Sequence, residues 1–125
     1  MKQFIKFKKI NGSCYLKEAN TQSICILGIF LGSEVAPVSL PFYRDWAKDQ
    51  NQQETGGNAT WLIKEDNNII ISELYSESSP EDNSFIISIE EFIKLLNDWE
   101  KLQKNGPGEI IITYEDGKIL IQEIN

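Results

Sequence analysis

The hydrophobic pattern of the chain predicts three β-hairpins, in each of which two apolar-rich stretches flank a two-residue turn signal. Asn-Gly and Asp-Gly pairs favour such turns because their residues tolerate the positive φ angles that a tight hairpin requires. The predicted hairpins are residues 4–16 with a turn at Asn11-Gly12, residues 61–71 with a turn at Asp66-Asn67, and residues 110–124 with a turn at Asp116-Gly117.

The third hairpin also predicts its own strand register. A two-residue turn sets Tyr114 opposite Ile119 and Ile112 opposite Ile121. Because side chains alternate along a strand, these four residues and Ile110 share one face. We expect that face to lie on the core.

Residues 24–31 form the longest apolar run in the chain, with the sequence Ile-Cys-Ile-Leu-Gly-Ile-Phe-Leu. The length of the run and its β-branched residues favour a central, buried strand, although a buried helix gives the same pattern and is the alternative. The run is far too short to span a bilayer.

Two other segments predict helices. Residues 39–50 predict a short helix with Pro41 in its first turn, where a missing N–H is tolerated. A long helix is predicted to begin at Ser88 and to stop at Gly106. Its start is predicted to be a capping box, in which Ser88 Oγ accepts from the Glu91 N–H and the Glu91 carboxylate accepts from the Ser88 N–H. The apolar stripe of this helix comprises Ile89, Phe92, Ile93, Leu96 and Trp99.

Two polar stretches separate these elements. Residues 49–58 predict a mobile loop, and residues 76–83, which are rich in Ser and acids, predict a surface loop. The whole pattern predicts a single α+β domain over residues 1–125, with an antiparallel sheet of about six strands, one long helix and one short helix.

Composition agrees with one globular domain, since 41% of the 125 residues are hydrophobic. The net charge of −7 argues against binding nucleic acid through its phosphates. The charge is uneven: residues 1–64 carry eight Lys and Arg against five acids, and residues 65–125 carry four against fourteen. Residues 1–10 are not followed by an uninterrupted apolar segment, so a cytoplasmic protein that binds no membrane is expected.

The residue types exclude much familiar chemistry. The chain has no His, which removes Ser-His and Cys-His nucleophile pairs and His-based metal sites. Cys14 and Cys25 fit neither a redox motif nor a zinc site and are expected to be small core residues, and a disulfide between them has no support. The sequence therefore predicts a non-catalytic protein without cofactor or metal, with a carboxylate-dependent enzyme as a less favoured alternative.

The candidate binding residues are acids without basic neighbours, because residues 65–93 contain no Lys or Arg. Unpaired acids beside an aromatic residue suit a basic protein surface, since they speed encounter and accept hydrogen bonds. A merely solubilising loop is the alternative. The predicted contact residues are Glu73, Tyr75, Glu77, Glu81 and Asp82, with a second group of Glu115 and Asp116 at the last hairpin turn. Trp99 is expected in the core, and so are Trp46 and Trp61, for which the alternative is that either one is an exposed anchor.

The segment from Trp61 onward resembles the small immunity proteins of bacterial polymorphic and contact-dependent growth-inhibition toxin systems. The shared features are a Trp-bearing hairpin, an acidic loop, and then SIEEFIKLLNDWEKL and GPGEIIITYEDG, over about half the chain. The resemblance implies a non-enzymatic protein that binds a cognate basic toxin domain, often a nuclease, and masks its active or substrate-binding surface. An acidic chaperone or adaptor for a secreted effector is the alternative from another class. The oligomeric state is left open.

Overall fold

The computed structural model describes residues 2–36, 38–74, 84–102 and 107–124, and within them the chain forms eight strands and three helices. The strands are β1 (Gln3–Ile10), β2 (Ser13–Ala19), β3 (Glu54–Gly56), β4 (Thr60–Glu65), β5 (Asn68–Glu73), β6 (Ser84–Ser88), β7 (Glu109–Glu115) and β8 (Lys118–Ile124). The helices are α1 (Gln22–Ser33), α2 (Leu40–Lys48) and α3 (Ile89–Glu100).

The strands form two antiparallel sheets instead of the one sheet of about six strands that the sequence predicts. The first sheet has the order β2-β1-β7-β8 and the second the order β3-β4-β5-β6. Buried side chains from both sheets and all three helices join one hydrophobic core. The predicted α+β class and single domain are therefore confirmed, with more strands than expected.

All three predicted hairpins are present. Asn11 and Gly12 have φ angles of 51° and 82°, and Asp116 and Gly117 have φ angles of 52° and 75°, as tight hairpin turns require. The predicted register of the last hairpin is also confirmed, with Tyr114 opposite Ile119. The turn residues thus account for the pairing next to each turn, although the first hairpin changes register between Lys6 and Phe7.

The apolar run of residues 24–31 lies in helix α1, so the predicted central strand is wrong. Thr21 begins the helix by accepting a hydrogen bond from the Ile24 N–H at 3.1 Å. The helix is apolar on all sides because it contacts strands of both sheets. Gly28 permits this packing, since a Cβ at that position would lie 2.9 Å from Leu16 Cδ1.

The predicted loop of residues 49–58 is wrong at its end, where Glu54–Gly56 forms the short strand β3. This strand pairs with β4, and Gly56 lies opposite Trp61. A three-residue edge strand of polar residues and glycine carries no periodic signal of its own, so its pairing depends on β4.

Helix α2 confirms the predicted short helix, and α3 confirms only part of the predicted long one. Ser88 Oγ accepts from the Glu91 N–H at 3.2 Å, as expected for the start of α3. The Glu91 carboxylate does not complete the capping box, because it accepts instead from the Ile119 N–H at 3.1 Å. Helix α3 ends at Glu100, before the predicted stop at Gly106, which lies outside the described residues.

Helix α3 attaches the first sheet to the core through the edge strand β8. The N–H of Ile119 donates to Glu91, and its carbonyl oxygen accepts from Lys94 Nζ at 2.8 Å. Further in, Trp99 packs edge-on against Phe7, with ring centroids 5.2 Å apart. The expected core position of Trp99 is confirmed.

Candidate protein-binding surface

The first predicted contact residue, Glu73, lies half-buried at the end of β5. It shares the core-facing side of this strand with Ile69 and Ile71, both fully buried. Burial and, to a smaller extent, the charge of Glu73 raise the pKa of the Cys25 thiol on α1. Glu73 therefore faces the helices at the rim of the sheet.

The other predicted residues fall into two sets. Tyr75, Glu77, Glu81 and Asp82 lie outside the described residues. Glu115 and Asp116 are exposed at the turn between β7 and β8, as the sequence predicts.

The structure does not bring Glu73 together with the last hairpin turn. That turn lies beside the first turn of α3, to which Ile119 is bonded through Glu91. Helix α3 starts next to Ser88, which pairs with Asn68 at the beginning of β5. Asn68 and Glu73 are five residues apart along one strand, which corresponds to about 16 Å. Glu73 thus lies at the far end of β5 from Asn68, whereas the last hairpin turn belongs to the first sheet.

A surface that the sequence reasoning did not identify lies on the side of the second sheet that faces away from the core. Strand register places Ile63 beside Ile70, and Ile70 beside Ile86. Trp61 precedes Ile63 on the same side of β4 and is 38% exposed, and Ile86 is 52% exposed. We call these four residues the Trp61 face.

Trp61 is held in a fixed orientation on this surface. Its indole ring packs on Gly56 of the neighbouring strand, where a Cβ would lie 2.1 Å from Cε3. Its Nε1–H donates to Glu54 Oε1 at 3.0 Å. One side of the ring therefore covers β3, and the other side faces solvent.

The charge around the Trp61 face is of one sign. Alternation along the strands gives eleven outward-facing positions, of which two are acidic and none is basic. These positions are Glu54, Gly56, Trp61, Ile63, Glu65, Asn68, Ile70, Ser72, Ser84, Ile86 and Ser88.

Lys64, the basic residue of β4, points to the opposite side of the sheet. Its Nζ donates to the carbonyl oxygens of Trp46 and Asp49 at the end of α2, where a cation also stabilises the helix dipole. Desolvation by burial lowers the pKa of this lysine, an effect that the charge of Asp49 partly offsets. Trp46 itself is buried, so Trp61 is the exposed member of the pair considered as anchors.

The outer side of the first sheet differs in its charge pattern. Lys6 lies 3.6 Å from Glu18, and Lys17 lies 2.8 Å from Glu109. The Lys17–Glu109 hydrogen bond and charge interaction raise the pKa of Lys17 and lower that of Glu109. Lys6 and Lys17 on that side are thus paired with acids, whereas the acids bordering the Trp61 face have no basic residue beside them on its strands.

A cavity of about 290 Å³ lies between the end of α2 and the β4–β5 turn. Its lining includes Asp49, Glu65 and Asp66. Asp49 accepts from the Asn51 N–H at 2.8 Å, and Glu65 and Asp66 are exposed. Asp49 itself is half-buried.

The described part of the chain contains no cluster of three or more His, Cys, Asp or Glu residues suited to a metal ion. The described helices include none with the length and apolar character needed to cross a bilayer. Cys14 and Cys25 are half-buried and form no disulfide.

Comparison of the chain with protein-family models, with curated proteins and with solved structures found no match.

Proposed function

We propose that this chain is a non-catalytic, protein-binding domain of the immunity type, which neutralises a cognate basic toxin domain by covering its active or substrate-binding surface. The observation that carries the proposal is the Trp61 face, an exposed apolar patch bordered by unpaired acids. A contiguous apolar patch with a polar border is typical of protein-interaction sites.

The arrangement favours a protein partner because Trp61 is already ordered. A fixed aromatic side chain loses little conformational entropy on binding, and Trp is enriched among residues that dominate binding energy. Ile63, Ile70 and Ile86 surround it with further apolar area. The face is therefore suited to be the centre of an interface.

Its size indicates that neighbouring residues also contribute. Four strands spaced about 4.8 Å apart and about six residues long give a face of roughly 300 Å². A stable interface takes roughly 800 Å² from each partner. Residues 75–83 join β5 to β6 and contain Tyr75, Glu77, Glu81 and Asp82, so they are natural candidates for the remaining area.

Acids without basic neighbours suit a basic partner. They accelerate encounter with a positive surface, and this effect weakens as salt screens the charges. The sequence adds no Lys or Arg between residues 65 and 93. Nuclease domains have basic substrate-binding surfaces, which supports the toxin class implied by the resemblance.

The first experiment is co-expression with the product of the gene directly upstream, if that product contains a strongly basic domain. We expect the two proteins to co-purify in a stoichiometric complex and the toxic activity of the partner to be suppressed. A basic neighbour that forms no complex at micromolar concentration would contradict the proposal.

A matched pair of variants locates the interface. Ile86 and Leu120 are both 52% exposed on strands, but Ile86 belongs to the Trp61 face and Leu120 to the outer side of the first sheet. We expect Ile86→Lys to weaken the complex about tenfold or more, and Leu120→Lys to change it less than about twofold. Equal effects of both variants would remove the Trp61 face from the interface.

Two further measurements separate the contributing parts. Charge reversal by Glu77→Lys and Glu81→Lys is expected to slow association about three- to tenfold at low salt and less at high salt. An unchanged association rate would remove residues 75–83 from the mechanism. Light scattering tests the adaptor alternative, since a stable homodimer disrupted by Ile86→Lys would favour it.

A further inference from the structure

We infer that Trp61 and Glu54 together form a receptor for an arginine side chain of the partner. The inference deepens the proposed function and rests on it for the identity of the partner as a protein. The affinity for arginine can nevertheless be measured without that partner.

The geometry supplies two complementary elements. Gly56 supports one side of the Trp61 indole and leaves the opposite side open to solvent. The Nε1–H bond engages Oε1 of Glu54, and the second carboxylate oxygen, Oε2, has no bonding partner among the described residues. A guanidinium stacked on the open side of the ring would lie beside that oxygen.

Arginine fits this site better than lysine. Its guanidinium is planar, weakly hydrated and able to stack on an aromatic ring while donating to a carboxylate in its own plane. An ammonium group is a compact, strongly hydrated charge and gains less from a flat, exposed surface.

The fold contains an internal example of the same chemistry. Lys64 Nζ lies 4.6 Å from the centroid of the Trp46 ring and donates to carbonyl oxygens beside it. There the cation is supplied by the chain itself. At Trp61 the aromatic ring and the oxygen acceptor are present, and no described Lys or Arg side chain occupies the position.

The test uses NMR of the complete ¹⁵N-labelled chain. Its three Trp residues give three indole N–H signals, and Trp61→Phe identifies the one from Trp61. The probes are N-acetyl-arginine amide and N-acetyl-lysine amide at equal concentrations. We expect arginine to shift the Trp61 signal in a concentration-dependent way, lysine to shift it less, and the buried Trp46 and Trp99 signals to stay in place.

Two variants that each remove one negative charge provide the comparison. Glu54→Gln is expected to weaken arginine binding about two- to fivefold, the range of an exposed ion pair. Asp45→Asn removes an exposed acid on α2, on the other side of the second sheet, and is expected to leave the titration unchanged. Unshifted Trp46 and Trp99 signals in each variant show that it has folded.

The inference is overturned if arginine shifts the Trp61 signal no more than lysine does, or if Glu54→Gln responds like the unmodified chain. Either result leaves the proposed function intact, provided that Ile86→Lys still disrupts the toxin complex. Conversely, if the chain binds arginine but forms no complex with a toxin, the proposed function is contradicted and the inferred arginine site at Trp61 and Glu54 stands.

Discussion

The contact between α3 and the edge of β8 allows us to predict how much the replacement of Glu91 lowers the free energy of unfolding. This residue is only 9% exposed, and its carboxylate accepts from the N–H of Ile119, which is 1% exposed. Replacing it by alanine leaves a buried backbone donor without its charged acceptor. The perturbation therefore tests whether Glu91, which was predicted to complete the capping box at Ser88, attaches β8 to α3 instead.

The magnitude follows from that single bond. A hydrogen bond to a charged group contributes about 1.5–3 kcal/mol to stability, and its loss also leaves the buried N–H unsatisfied. We expect Glu91→Ala to lower the free energy of unfolding by about 2–3 kcal/mol. Glu91→Gln keeps an oxygen acceptor and should lower the free energy of unfolding by only about 1 kcal/mol.

The neighbouring residue gives a matched control. Glu90 lies in the same first helical turn but is exposed, so its removal affects only the interaction with the helix dipole. That interaction is worth about 0.3–1 kcal/mol, and the better helix propensity of alanine partly offsets its loss. Glu90→Ala should therefore change the unfolding free energy by about 0.5 kcal/mol or less.

Urea unfolding monitored by far-UV circular dichroism measures all three variants. Because the slope for a small domain is about 1–3 kcal/mol per molar urea, Glu91→Ala should lower the midpoint by about 1–2 M. Hydrogen exchange at the Ile119 amide should accelerate in the same variant. If Glu91→Ala and Glu90→Ala unfold at the same urea concentration, the proposed attachment of β8 by Glu91 is wrong.

Other contacts give further predictions. A Cβ at Gly57 would lie 1.6 Å from Glu34 Oε2, so Gly57→Ala should displace this carboxylate from two backbone N–H groups and cost about 1–2 kcal/mol in urea unfolding. Gly32→Ala is the contrasting variant, because its Cβ would meet Phe7 at an ordinary 3.9 Å within α1, and we expect it to be neutral or to stabilise by about 0.5–1 kcal/mol. Burial raises the pKa of Tyr43 and of Tyr114, with nearby Glu charges adding to the effect. The folded chain thus keeps phenolic protons that the unfolded chain releases, and stability should fall as the pH rises above about 10. Tyr114→Phe should reduce that fall, and an unchanged pH dependence would contradict its assignment to this residue.

The elements that the sequence predicts correctly are those fixed by local chemistry. Asn11-Gly12 and Asp116-Gly117 adopt the positive φ angles that tight hairpin turns favour, so each turn sets the register of the strand residues next to it. The start of α3 also depends on a local contact, because Ser88 Oγ accepts from the N–H of Glu91, three residues later. Such features depend only on neighbouring residues.

The errors arise where distant contacts decide the structure. Residues 24–31 become a helix because both sheets cover it, and an all-apolar run does not reveal this. Glu91 has two available donors, and it bonds to Ile119, 28 residues away, in preference to Ser88. The division into two sheets depends on pairing of β1 with β7, in which Gln3 lies opposite Tyr114.

The Trp61 face was missed for a related reason. Ile69, Ile70 and Ile71 show that β5 is apolar on both sides, but the sequence does not show which side the helices cover. The structure places all the helix contacts of β5 on the side of Ile69 and Ile71, so Ile70 is left on the outer side. The acids nominated from the charge pattern do not include Glu54 and Glu65, the two acids on this side of the sheet.

The contacts and lengths of the edge strands explain why we expect a partner to bind to a face of the sheet and not to add a strand to its edge. At β6, the carbonyl oxygen of Ser84 accepts from Ser23 at 2.8 Å, and that of Ile86 accepts from Tyr114 at 3.3 Å. At β8, both backbone groups of Ile119 are bonded to α3 side chains. The other edge of the second sheet is the three-residue strand β3, too short to template a long pairing. Since the edges of the second sheet are occupied or short, a partner gains little by extending it, which supports the proposal that the partner binds to the exposed apolar side of this sheet.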